Sequence, residues 1–124
     1  MKIWTVKNDW SGKFLPIVNS SKPQYGGFDY RVSSTCSEGV VVVAECEAAL
    51  RWLPHMRAGV EDYCAKVHKE GEFFRGITIS LTRIYEHEVD TTESVMFLRG
   101  RSFLLHMTHG ARDSQLEFIE TETD

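Results

Sequence analysis

The chain has 124 residues, enough for one compact domain and too few for a nucleotide-binding domain plus a second module. Hydrophobic residues make up 42% of it, which fills a sizeable core, and charged residues 26%, the ordinary level for a globular protein. Asp and Glu outnumber Lys and Arg by 18 to 14, a net charge of −4. That argues against broad, sequence-independent binding to nucleic acid, where phosphate neutralisation supplies most of the affinity, and leaves room for one basic patch.

Cys36, Cys46 and Cys64 are odd in number and lack CxxC spacing, so they form neither a disulfide framework nor a zinc site. The opening MKIWTVKNDW has no long apolar run and is not a signal peptide. No stretch approaches the roughly 20 apolar residues of a membrane span. Together these predict a reduced, cytoplasmic protein without a membrane partner.

In chain order, Ile3 and Val6 fit a short strand, and Ser11-Gly12 reads as a turn. Residues 13 to 19 (KFLPIVN) form a strand that Pro16 confines to an edge. Residues 19 to 27 collect Ser, Pro and Gly and read as a loop. From Gly27 to Ser34, Phe28, Tyr30 and Val32 alternate with Asp29 and Arg31, the period of a half-buried strand. Ser33 to Gly39 reads as a turn. The β-branched run Val40 to Ala44 reads as a central strand buried on both faces.

The period then changes. Leu53, Met56, Val60, Tyr63/Cys64 and Val67 recur at helical steps. Pro54 belongs in a first turn, so the helix is expected to start near Trp52 and to end at Gly71. Gly59 falls mid-helix, where it allows close packing against a sheet. Ile77, Ile79 and Leu81 alternate with Thr78, Ser80 and Thr82 in a strand that stays regular until Arg83. Asp90, with Glu93 three residues on, reads as the cap of a second helix that carries Val95, Met96, Leu98, Phe103, Leu104 and Leu105 and ends near His109-Gly110. Gln115 to Ile119 adds a last short strand, and the acidic end from Thr121 is a frayed tail. The order predicts a single α/β domain, a two-layer sandwich with both helices on one face of the sheet.

Three segments resemble parts of domain IV of translation elongation factor G. The helix LRWLPHMRAGVEDYCAKVHKEG is similar to that domain's first helix: Trp52, Leu53 and Pro54 match an aromatic–aliphatic–Pro step, Gly59-Val60 a Gly–aliphatic pair, and Gly71 a closing Gly. RGITISLTRIYEHEVDTTES resembles its next strand and tip loop, with His87, Glu88, Val89, Asp90, Thr91 and Thr92 on the family's His, acidic, Val, Asp and two hydroxylated positions. Gln24-Tyr25-Gly26 is similar to the Gln-Tyr-Gly that closes the family's other tip loop. The likeness runs over roughly residues 24 to 106 and is strongest from 52 to 97.

The resemblance implies a β-β-β-α-β-α fold with a left-handed crossover, shared with GHMP kinases and a ribosomal protein domain. Periodicity alone would favour a right-handed one. It also implies contact with the ribosome through two tip loops. The chain departs from the family at Ser20-Ser21-Lys22-Pro23, which replaces a Gly-rich lead-in, and at bulky Phe97, Phe103 and Leu104 on the second helix. It has no GxxxxGK[ST], so the GTPase of the parent factor is missing, and no nucleotide is expected.

His87 is the foremost candidate, since an imidazole at a strand–helix tip can bond ribose or phosphate or stack on a base. Its neighbours Glu86, Glu88, Asp90 and Glu93 make the same tip acidic. Tyr25 and Lys22, with Lys13 nearby, offer stacking and charge on the other loop. Arg83 is a supporting charge, and Arg99 and Arg101 read as a solvated helix face. His106 and His109 are three apart but supply only two ligands, so no metal is expected, and no Cys–His pair has the spacing of a nucleophile and base. No cofactor is expected. The resulting expectation is a non-catalytic, translation-linked module that contacts ribosome or RNA through residues 19–26 and 84–91. The alternative is a protein-interaction or self-assembly domain that kept the scaffold, which the acidic tip and aromatic Trp4, Trp10 and Phe14 favour.

Overall fold

The structure is a computed structural model that describes residues 1–16, 24–110 and 116–120. Its elements are β1 (Lys2–Val6), β2 (Trp10–Phe14), β3 (Gly27–Glu38), β4 (Val40–Ala44), α1 (Glu47–Lys69), β5 (Glu72–Tyr85), α2 (Glu93–Gly110) and β6 (Leu116–Glu120). Among the described residues the architecture is mixed α/β, with six strands in one sheet and two helices.

β5 is the hub of the sheet. It runs antiparallel to β3 from Gly27↔Tyr85 to Glu38↔Arg75. It runs parallel to β4 from Val40↔Ile77 to Ala44↔Leu81, and parallel to β1 at Lys2↔Glu72 to Trp4↔Phe74. β2 lies antiparallel outside β3, and β6 antiparallel outside β1. Because β4 and β5 are parallel neighbours, the chain between them must cross over, and α1 is that crossover.

One core joins sheet and helices. Phe28, Val32, Ile77, Ile79 and Leu81 from the strands meet Met56, Met96, Phe103 and Leu104 from the helices, and each of these side chains is 1% exposed or less. Full burial of such a side chain is worth roughly 1.5–3 kcal/mol. The aromatic members meet edge-on: Phe28 and Tyr30 both pack against Phe103, at 5.2 and 4.6 Å between ring centroids.

Several sequence expectations are corrected. The second strand begins at Trp10 and ends at Phe14, so Ser11-Gly12 is strand rather than turn; the Tyr30 ring lies over Gly12 and supplies the packing that glycine lacks. β3 runs through the expected turn to Glu38, with irregular register between Ser34 and Glu38. Gly76 answers that irregularity with φ +65°, and a Cβ there would lie 2.6 Å from the Thr35 carbonyl oxygen. Among the described residues β4 pairs only with β5, and it buries only Val42, so it is an edge and not a strand covered on both faces.

α1 starts five residues before Trp52. The helix-forming residues Glu47-Ala48-Ala49-Leu50 extend it, and Pro54 sits exposed inside the helix, costing one hydrogen bond without stopping the chain. Gly59 faces α2 and not the sheet. A Cβ on Gly59 would lie 2.0 Å from the Phe97 carbonyl oxygen, and one on Gly100 would lie 2.4 Å from that of Met56. The two helices thus cross backbone to backbone at a pair of glycines, which is why bulky Phe97, Phe103 and Leu104 elsewhere on α2 do not hold them apart.

Candidate functional site

Four segments meet where β5 ends: the turn 86–92, the lead-in 24–26, and the starts of α1 and α2. The turn closes on itself through a reciprocal pair. The His87 N–H donates to Thr91 Oγ1 at 2.7 Å, and the Thr91 N–H donates to the His87 carbonyl at 3.1 Å. Thr91 is buried, and its hydroxyl donates in turn to the Tyr25 carbonyl at 2.6 Å. The Tyr25 N–H donates back to the Asp90 carbonyl at 3.3 Å.

Arg99 completes the seam. It is 3% exposed on α2, donates through Nε to the Gly26 carbonyl at 2.7 Å, and reaches the Gln24 carbonyl at 3.2 Å. Burial pulls its guanidinium pKa below the usual arginine range, yet the two carbonyls keep its donors satisfied. The two loops therefore form one hydrogen-bonded tip.

His87 caps its own turn. The amides of Val89 and Asp90 both point at Nδ1, each at 3.2 Å. With Nδ1 accepting both amides, Nε2 is the ring nitrogen left for an outside partner. Asp90 Oδ2, 3.4 Å from the same nitrogen, is then a neighbour and not an ion-pair partner, because that nitrogen is already an acceptor of both amides. The side chain is 56% exposed, and among the described residues its Nε2 has no hydrogen-bond partner. Val89, 76% exposed, and Tyr25, 39% exposed, stand beside it.

The cap of α2 is Thr92, whose hydroxyl accepts the Val95 N–H at 3.2 Å. Asp90, expected in that role, spends its amide on His87. Arg99 and Arg101 do not form a solvated strip: the first is buried in the seam and the second pairs with Asp62 on α1 at 3.3 Å. Glu86 accepts the Trp52 indole N–H from α1, and His55 lies 3.8 Å from Glu93. These contacts anchor the acidic residues of the tip to the helix layer.

Of the four residues singled out for contact, His87 and Tyr25 are brought together. Arg83 lies outside the tip, on the open face of the sheet, with its guanidinium 4.8 Å from the Tyr85 ring centroid. The register explains its break in alternation: Tyr30 pairs with Leu81 and Asp29 with Arg83, so Thr82 is the extra residue of a bulge. Lys22 lies outside the described residues. Thr91 and Arg99 are the parts that sequence reasoning missed. Arg99 had a signal, since it falls three residues after Met96 and four before Phe103, both buried, and so lies on the core stripe of α2.

A cleft of about 730 Å³ lies at the other end of the helices, between Trp4, Tyr63, Val67, Leu105 and Leu116. Among the described residues no group of three or more His, Cys, Asp or Glu could hold a metal ion. His106 packs on Phe14 and His68 meets Phe73 edge-on. Burial pushes the Cys64 thiol up to about 11, with Glu61 adding to it, which leaves little thiolate to act as a nucleophile. Among the described residues no helix is long and apolar enough to cross a membrane.

No family model and no curated protein matches the chain. Solved structures do, with 48 chains matching. One is the crystal structure of a protein from Thermus thermophilus, similar at a TM-score of 0.56 and 16% identity over 81% of this chain. This chain spans 16% of that protein's length. At such identity the likeness shows the fold and assigns no chemistry.

Proposed function

We propose that this domain is a non-catalytic, translation-linked binding module whose contact element is the tip formed by residues 24–26 and 86–92. One observation carries the reading: two loops far apart in sequence are hydrogen-bonded into one body, by Thr91 and Arg99, and that body leaves His87 Nε2, Tyr25 and Val89 facing outward. A preformed tip binds without first ordering its own loops, which removes a cost that flexible segments incur.

The resemblance of the same two segments to domain IV of elongation factor G directs the choice of partner to the ribosome or a structured RNA. It also places the β4–α1–β5 crossover among the left-handed ones, an assignment that rests on that likeness alone. His87 bonds a phosphate or ribose oxygen through Nε2, and Tyr25 stacks on a base. A protein partner is the second reading, favoured by the four carboxylates around the tip and by exposed Val89.

Co-sedimentation with purified ribosomes over a salt series tests the proposal, with His87→Ala alongside. The expected result is salt-sensitive binding that drops about tenfold in the variant, a single good contact being worth ~1–3 kcal/mol. Absence of binding at low salt sinks the ribosomal reading and leaves the protein partner.

A further inference from the structure

The tip itself is acidic, so a polyanion must find its positive charge elsewhere. We infer that the open face of β2, β3 and β5, beside the tip, carries a phosphate clamp for single-stranded RNA, made of Lys13 and Arg83 held on the ring of Tyr85. This rests on the functional reading above and deepens it, by naming the surface and the chemical group it takes.

Lys13, Asp29 and Arg83 are cross-strand partners in one row over three strands. Lys13 Nζ stands 4.6 Å from the Tyr85 ring centroid and Arg83 Cζ 4.8 Å. Both side chains are exposed. The ring quadrupole attracts both cations and so opposes their mutual repulsion. Tyr85 is fixed in turn, since its hydroxyl donates to both carboxylate oxygens of Asp29, at 2.9 and 3.0 Å. That bond raises the phenol pKa, so the ring keeps its proton and its anchor at neutral pH.

Charge pairing distinguishes these two cations from their neighbours. Arg31, two residues on from Asp29 along β3, pairs with Glu45, and Arg101 pairs with Asp62. Among the described residues neither Lys13 nor Arg83 has a carboxylate within ion-pairing distance. Asp29 has its oxygens occupied by the phenol. Two unpaired cations are therefore preorganised on one rigid platform, two residues before His87 in the chain. A strand of RNA that reaches the tip passes this face and places consecutive phosphates on Lys13 and Arg83, the guanidinium offering paired donors.

The test measures binding of a fluorescein-labelled oligouridylate by anisotropy over a salt series, with ribosome co-sedimentation of the same proteins. Each neutralised phosphate adds about 0.7 to the log–log salt slope for a single strand, so Lys13→Gln with Arg83→Gln should lower the slope by about 1.4. Tyr85→Leu should weaken binding severalfold with the charges intact. Asp29→Asn should tighten it, an outcome that a merely damaged fold does not produce. An unchanged slope in the double variant overturns the clamp. So does wild-type protein that sediments with ribosomes but ignores oligouridylate, in which case the functional reading stands. Wild-type protein that binds neither overturns both.

Discussion

The two ends of the helix layer use their polar groups in opposite ways. At the tip, backbone and side-chain donors are spent on each other: Thr91 and Arg99 tie residues 24–26 to residues 87–91, and His87 caps its own turn. The outer surface that results exposes an imidazole edge, a phenol and a valine. At the far end, residues from the C-terminal halves of α1 and α2 and from β1 and β6 line a cleft. Mixed charges from Lys7, Lys66, Glu70, Glu72 and Glu117 line it, and Trp4 bonds Glu72 at 3.3 Å. The rigidity of the tip comes from buried hydrogen bonds, whereas the cleft at the far end is lined by mixed charges.

The largest expected effect concerns what both ends depend on, the helix crossing. In an exposed helix, Gly→Ala gains about 1 kcal/mol. At Gly59 the added methyl meets the backbone of α2, so Gly59→Ala should cost the whole protein about 2 kcal/mol through overpacking, read as a lower urea midpoint. A midpoint that rises would mean that the helices do not touch at this glycine.

Arg99→Met should come next, and its effect should be confined to the tip. One buried and one half-buried carbonyl lose a charged donor, each bond of that kind being worth ~1.5–3 kcal/mol. Amide exchange should quicken at Tyr25 and across 87–91 while residues lining the distant cleft keep their protection. Uniform acceleration over the whole chain would show that the tip is not a separate unit.

The smallest effect separates two adjacent readings of the α2 start. Thr92→Ala should cost ~1 kcal/mol, the usual loss of an N-cap, while Asp90→Asn, which keeps the amide bonded to His87, should leave the thermal midpoint almost unchanged. The reverse order would restore Asp90 as the cap.

The sequence foretold the helices and the β3–β5 core because their periods are imposed by burial: Phe28 and Val32 on one strand, Ile77, Ile79 and Leu81 on another, and Met56, Val60 and Val67 along α1. It also pointed to His87 and Tyr25, through the resemblance. The errors share a physical origin. Ser11-Gly12 has turn-forming residues, but pairing with Arg31 and Tyr30 overrides that propensity. Pro54 carries a helix-start signal that local sequence cannot weigh against Glu47 to Leu50 upstream. Gly59 requires close approach, and the sequence does not say to what. Arg99 reads as a surface charge until the carbonyls of Gln24 and Gly26, 73 and more residues away, are seen to face it. Such long-range satisfaction of polar groups leaves almost no local trace.

The measurement that tests the central claim most directly is amide exchange of the wild-type protein, free and with purified ribosomes in excess. The account predicts new protection concentrated at Tyr25, Gly26 and residues 86–92, with the residues around Tyr63, Leu105 and Leu116 unchanged. Protection centred on that distant cleft, with the tip exchanging as in the free protein, would contradict it.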